Sequence, residues 1–126
     1  DFAQEELNGI NLQKAQIPGI VFYQSKLTNA NFQGADLSNA NLGKANLSQA
    51  ILKNANISQA YMSYANLERA DLRGADLTGA NLNHASLRGA NLCGANLWDA
   101  KVTEDQLAMA KINWLTVMPS GKRGFW

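Results

Sequence analysis

Few side chains of this chain could do chemistry, and none has the company that chemistry needs. There is one histidine, His84, and one cysteine, Cys93. A lone cysteine excludes an internal disulfide and a cysteine-based zinc cluster. His84 has no second histidine or spaced carboxylates to share a metal with it. Ser63 and Ser86 stand at no spacing that implies a histidine and an aspartate beside them. Asp71 and Asp76 lie five residues apart, a spacing that many other residues of this chain share. The glycines form no phosphate-cradling loop; they recur at a fixed period. The sequence thus assigns no catalytic residue, no metal ligand and no cofactor-binding residue. What stands out is aromatic: Tyr23, Tyr61 and Tyr64, with His84, in a chain whose other polar positions are mostly Asn, Ser, Gln, Lys, Arg and Gly.

These residues are carried by a repeat. Alanine recurs every five residues from Ala30 to Ala100, fifteen times without a miss. Two residues after each comes an apolar residue, from Phe32, Leu37 and Leu42 to Leu97 and Val102. Asn or Asp lies between them in most units, as in Ala35-Asp36-Leu37. On an α-helix five residues turn the chain by roughly 500°, so the leucines would form no stripe. On a continuous strand they would alternate between faces. A three-residue strand followed by a two-residue corner puts every Ala and Leu on one side. A chain that bends the same way every five residues closes into a coil with those side chains inside.

The corners carry their own signal. A type II turn needs positive φ at its third position, which favours Gly or Asn. Gly34, Asn39, Asn54, Gly74, Gly79, Gly89 and Gly94 occupy that position. Lys44, Gln49, Gln59, Tyr64, Arg69, His84 and Asp99 do not suit positive φ, so type I turns are expected there. The Asn or Asp between Ala and Leu is expected to hydrogen-bond nearby backbone.

With these units in view, the sequence resembles the pentapeptide-repeat family, whose consensus is Ala-(Asp/Asn)-Leu-x-x. The likeness covers Ala30 to Thr103 and extends more loosely back to Ile10. It implies an all-β solenoid, a right-handed quadrilateral β-helix with four units per coil. Residues twenty apart then stack, so Val21, Tyr23, Tyr61, Tyr64, His84 and Lys101 share one face or its corner, with Lys44 between. We read Tyr23, Tyr61, Tyr64 and His84 as a candidate interaction patch, because grouped exposed aromatics mark interaction sites. Glu68 and Arg88 would stack as an ion pair.

The whole chain, 1–126, reads as a single domain. Residues 1–9 form an N-terminal cap, either one or two helical turns between Asp1 and Gly9 or a coil in which Phe2 and Leu7 keep the repeat register. Residues 10–29 are a degenerate first coil, 30–102 the regular repeats, and 103–126 a C-terminal helix and tail. Thr103-Glu104-Asp105-Gln106 reads as a capping box that starts a short helix to about Ala110. Trp114, Leu115, Val117 and Met118 are expected to fold over the last coil as a cap that buries Trp114. Lys122-Arg123-Gly124-Phe125-Trp126 is a basic, aromatic tail.

Function is less legible. The net charge is +1, from 11 basic and 10 acidic residues, so no nucleic-acid partner is implied. No apolar run approaches the ~20 residues of a membrane span. A chain that starts at Asp1 reads as processed or trimmed, and the compartment stays open between cytoplasm and thylakoid lumen or periplasm. The resemblance is to a family abundant in cyanobacteria, many of whose members have no established role. The reading is a non-enzymatic structural or protein-interaction module with an unidentified protein partner, monomeric in preference to a dimer through the C-terminal end. The alternative that the resemblance offers is a DNA mimic that binds DNA gyrase with an acidic rod. Here the eight basic residues between Ile10 and Glu104 outnumber the six acidic ones, the wrong sign for a mimic, and no inhibition of supercoiling is expected.

Overall fold

A computed structural model describes residues 1–124; Phe125 and Trp126, the aromatic end of the tail, lie outside the described residues. The chain winds in coils of twenty residues. Parallel bridges join residue i to residue i+20, so Asn11, Asn31, Ile51, Asp71, Asn91 and Lys111 form one ladder down the tube. Three more ladders complete a square section. They run through Gln16, Asp36, Asn56, Asp76 and Asn96, through Val21, Asn41, Tyr61, Asn81 and Lys101, and through Glu6, Lys26, Asn46, Asn66 and Ser86. We number these four sides the first to fourth faces in chain order from Asn11. Each unit bonds in both directions: Leu37 N–H donates to Asn56 O at 2.7 Å, and Asn56 N–H donates to Ala35 O at 2.9 Å.

The alternation expected of Ala-Asn-Leu is what fills the tube. Every alanine from Ala30 to Ala100 is buried, and so is every apolar residue from Phe32 to Leu97 at the inward position two residues later. Each buried Leu contributes about 2 kcal/mol of transfer free energy. The middle residue faces out and closes a local bond. The Oδ1 of Asn31, Asp36, Asn46, Asn56, Asn66, Asp76 and Asn96 each accepts the N–H two residues on, at 2.9–3.0 Å. These bonds satisfy turn N–H groups that the ladders leave out.

The corners depart from expectation. From Gln4 to Asp99 all of them have positive φ at the third turn position, not only those with Gly or Asn. Lys44 (φ 54), Gln49, Gln59, Tyr64, Arg69, His84 and Asp99 sit in the same left-handed region as Gly34 and Asn39. The type I turns expected at these seven corners are therefore not formed. The reason lies in the ladders on either side. Lys44 N–H must reach Ser63 O (2.9 Å) while Ala45 N–H closes the turn on Leu42 O (3.1 Å). A coil that stacks in register has to bend identically at each level, and this tertiary demand overrides residue preference. A left-handed non-glycine residue costs about 1–2 kcal/mol. Gln49→Gly, at an exposed corner, is therefore expected to stabilise the tube by about 1 kcal/mol, less the entropy cost of glycine. A raised thermal midpoint checks this, and an unchanged or lower one contradicts it.

The start of the chain follows the coil and not a helix. Gln4 and Gly9 already have positive φ, Phe2 N–H donates to Val21 O, and the Phe2 ring packs on Phe22 at 5.9 Å between centroids. The larger inward residues Ile10 and Ile20 fit because this end of the tube is open: with Leu7, Leu12 and Ile17 they are only half-buried. Ser25 replaces an alanine, and its hydroxyl donates to Phe2 O.

At the other end the capping box forms as expected. Thr103 Oγ1 accepts from Gln106 N–H at 3.1 Å, and Gln106 Oε1 accepts from Thr103 N–H at 2.8 Å. Helix α1 spans Glu104–Ala108, shorter than expected, because the chain must rejoin the first face at Lys111 beside Asn91. Polar side chains then cover the last coil. Gln106 Nε2 donates to Leu82 O and Ala85 O, Thr116 Oγ1 donates to Leu92 O, and Asn113 Oδ1 accepts from Gly94 N–H.

Trp114 is not buried under this cap; it is 60% exposed, and Leu115 is 44% exposed. Trp114 lies twenty residues after Gly94, an outward corner position in the unbroken register, and one extra residue turns Leu115 out beside it. Lys111 pairs with Asn91 twenty positions earlier, but Val117 pairs with Asn96 twenty-one earlier. The turn runs from Asn113 to Thr116, so Trp114 and Leu115 take its two outward positions, and Thr116 takes the buried site that alanine holds elsewhere.

Candidate functional site

The third face and the corner after it carry the aromatic residues. Tyr61 stands where most units have Asn or Asp, so it forgoes the local turn bond and lies flat on the face instead. The room for it comes from Gly43, one coil earlier. A Cβ at Gly43 would meet Tyr61 Cε2 at 2.6 Å and Tyr23 Cδ1 at 3.1 Å, so both rings converge over that glycine. At the corner, Tyr64 and His84 stack with centroids 4.7 Å apart and planes inclined by 16°. Tyr61 is 45% exposed and Tyr64 58% exposed, while Tyr23 is half-buried. The four predicted residues thus form two pairs on one side of the tube, Tyr23 with Tyr61 and Tyr64 with His84.

Gly43 is the residue that sequence reasoning missed. It takes no positive φ, so the corner geometry gives no reason for a glycine. From Gln33 to Trp98 it is the only glycine at the first turn position, and that was the available signal.

The remaining candidates are scattered. Ser63 is buried on the third face, and Cys93 is half-buried on the first. Asp71 is bound by Arg73, whose Nε and Nη2 donate to its two oxygens at 2.8 and 2.6 Å. That contact lowers the Asp71 carboxyl below its usual range and raises the Arg73 guanidinium. Asp36 is lowered by hydrogen bonds from the Ser38 hydroxyl and N–H. Among the described residues the ion pairs are Lys26–Glu6 and Arg73–Asp71, so the Glu68–Arg88 pair expected from stacking is not formed. No group of three or more His, Cys, Asp or Glu among the described residues is placed to hold a metal ion. No helix among them is long and apolar enough to cross a membrane.

A square tube of stacked five-residue units, filled with Ala and Leu, has counterparts. The family model described as Pentapeptide repeats matches in 8 copies over residues 6–43, 40–79 and 70–104. The chain belongs to the pentapeptide-repeat family. Its fold is accordingly the right-handed quadrilateral β-helix of that family. A pentapeptide-repeat protein from the Arabidopsis thaliana thylakoid lumen is 32% identical, with a TM-score of 0.80 over 82% of this chain and 72% of the other. One from the cyanobacterium Cyanothece 51142 is 29% identical, with a TM-score of 0.77 over 92% and 89%. QnrB1, a plasmid-mediated fluoroquinolone resistance protein, is 21% identical, with a TM-score of 0.54 over 86% and 57%, and shares the fold alone. No curated protein matches the chain.

Proposed function

We propose that this pentapeptide-repeat chain is a non-enzymatic interaction module that docks a protein partner on the aromatic side made by Tyr23, Tyr61, Tyr64 and His84. The observation that carries the reading is the pairing of exposed rings over Gly43 and at the Tyr64–His84 corner. Tyr61 replaces a residue type that would have closed a local hydrogen bond, so folding alone does not favour a tyrosine there. The stacked Tyr64–His84 pair and the Tyr61 ring packed over Gly43 are amphipathic, and such rings are over-represented among the residues that dominate binding energy. A backbone held at every level by ladder bonds presents them with little entropy left to lose.

The test is affinity capture from the source cell, followed by rebinding of the captured protein in purified form. Tyr61→Ser/Tyr64→Ser is expected to weaken that rebinding by roughly thirtyfold, the effect of losing an aromatic anchor. The thermal midpoint should stay near the parent's, because both rings are exposed. Gly43→Val, which pushes Tyr61 off the face without removing a ring, should also weaken it. Equal rebinding by the parent and both variants would place the partner elsewhere on the tube.

A further inference from the structure

The exposed apolar residues at the C-terminal end are left over by the cap, and their surroundings have a definite charge. Trp114 and Leu115 project from the corner between the first and second faces. From Thr116 the chain makes a short hairpin: Met118 N–H donates to Lys122 O, Val117 bridges Arg123 antiparallel, and Gly124 N–H donates to Thr116 O. This return brings Arg123 beside the apolar pair, where its Nη1 donates to Leu115 O at 3.0 Å. It also lays Gly121 against Trp98, itself 55% exposed, with a would-be Cβ 3.4 Å from the indole. Lys111, Lys122 and Arg123 are all exposed, and there is no Asp or Glu from Gln106 to Gly124. The acidic residues of this end are Asp99, exposed beside Trp98 with its N–H donating to Pro119 O at 3.0 Å, and Glu104 and Asp105 at the start of α1, so three cations and one carboxylate surround the apolar residues.

The geometry points to this tip, on its side between the first and second faces, as a docking surface for an anionic lipid bilayer. Tryptophan prefers the level of the headgroups, where its ring is half in apolar surroundings and its N–H is wet. Trp98, Trp114 and Leu115 supply shallow apolar insertion, and Lys111, Lys122 and Arg123 face the lipid phosphates. Basic residues next to an anionic leaflet are attracted within a Debye length, whatever the sequence around them. A second copy of the chain fits the tip less well. A two-fold contact would set two patches of net positive charge against each other. The surface is distinct from the tyrosine side and does not depend on the reading given for it.

Flotation of the full chain with phosphatidylcholine vesicles, with and without phosphatidylglycerol, tests the assignment. The parent is expected to float with the anionic vesicles at low salt, to be released by high salt, and to stay free of phosphatidylcholine alone. Lys122→Glu/Arg123→Glu should reduce the bound fraction by roughly fivefold or more per reversed charge. Trp114→Ser/Leu115→Ser should reduce it at unchanged net charge, with an unaltered thermal midpoint because both side chains are exposed. Lys14→Glu, at the far end of the first face, should leave it unchanged. The assignment is overturned if the parent does not float or floats equally with neutral vesicles. It is equally overturned if Lys14→Glu acts as strongly as the tip changes. A parent dimer that Trp114→Ser/Leu115→Ser converts to a monomer would give the tip to a second copy instead.

Discussion

Leu67→Asp is expected to leave the chain unfolded at room temperature. Leu67 is fully buried in the inner ladder of the fourth face, between Leu47 and Leu87. The neighbours at its own level are Ala65, Ala70, Met62 and Leu72, all buried and all apolar. A carboxylate placed there has no donor to meet it except backbone N–H groups already committed to ladders, such as Arg69 N–H to Arg88 O. An ionised group would carry a desolvation cost far above the 5–15 kcal/mol stability of an ordinary domain. A protonated one would still be an unsatisfied polar group, and the lost leucine transfer adds about 2 kcal/mol. In a solenoid each level is held by its two neighbours, so one failed level also uncovers the levels above and below it. The matched control is Gln49→Asp, an exposed corner of the same face, where the carboxylate stays in water and the thermal midpoint should move little. A Leu67→Asp chain that melts within a few degrees of the parent would refute the inside and outside assignment of every unit.

That assignment was legible because it depends on one simple property, the direction of the side chain along a three-residue strand. Alanine and leucine repeat without error from Ala30 to Ala100, and the outward Asn or Asp explains itself by its bond to the turn. The corners were not legible. Lys44, Gln49, Tyr64 and His84 were read by their own conformational preference, but two ladders decide their backbone, and local preference loses. The C-terminal end was half legible. The capping box is a local motif, so Thr103 and Gln106 behaved as their spacing predicts. Trp114 lies twenty residues after Gly94, so the coil itself puts the indole at an outward corner and not under the cap. The extra residue before Thr116 shifts the register by one and turns Leu115, not the indole, from an inward site to the outside. Of the candidate patch, the common face of Tyr23, Tyr61, Tyr64 and His84 followed from the twenty-residue coil. The pairing of Tyr23 with Tyr61 did not, because it rests on a missing side chain at Gly43.

Deleting residues 103–126 is expected to convert a monomeric rod into larger assemblies. The exposure of Trp114 changes which residues make the cap, but the deletion still removes all of them. Without Gln106, the carbonyls of Leu82 and Ala85 lose their donor; without Thr116, so does that of Leu92; without Asn113, Gly94 N–H loses its acceptor. The ladder partners go too, since Gly89, Leu92, Leu97 and Asp99 donate to carbonyls between Met109 and Pro119. Leu87, Leu92 and Leu97, buried in the intact chain, would with Val102 form an apolar square ringed by unpaired N–H groups. Such an edge has the geometry of another coil and recruits one from a neighbouring molecule. Light scattering of both chains decides the matter: a monomeric full chain and a truncated chain of high mass are expected. The competing account makes the exposed Trp114, Leu115 and Met109 an interface between two copies. It requires the opposite pair, a dimeric full chain and a soluble, monomeric truncation. Trp114→Ser/Leu115→Ser separates the two accounts once more. It leaves every capping bond in place, so under the cap account it stays monomeric and folded.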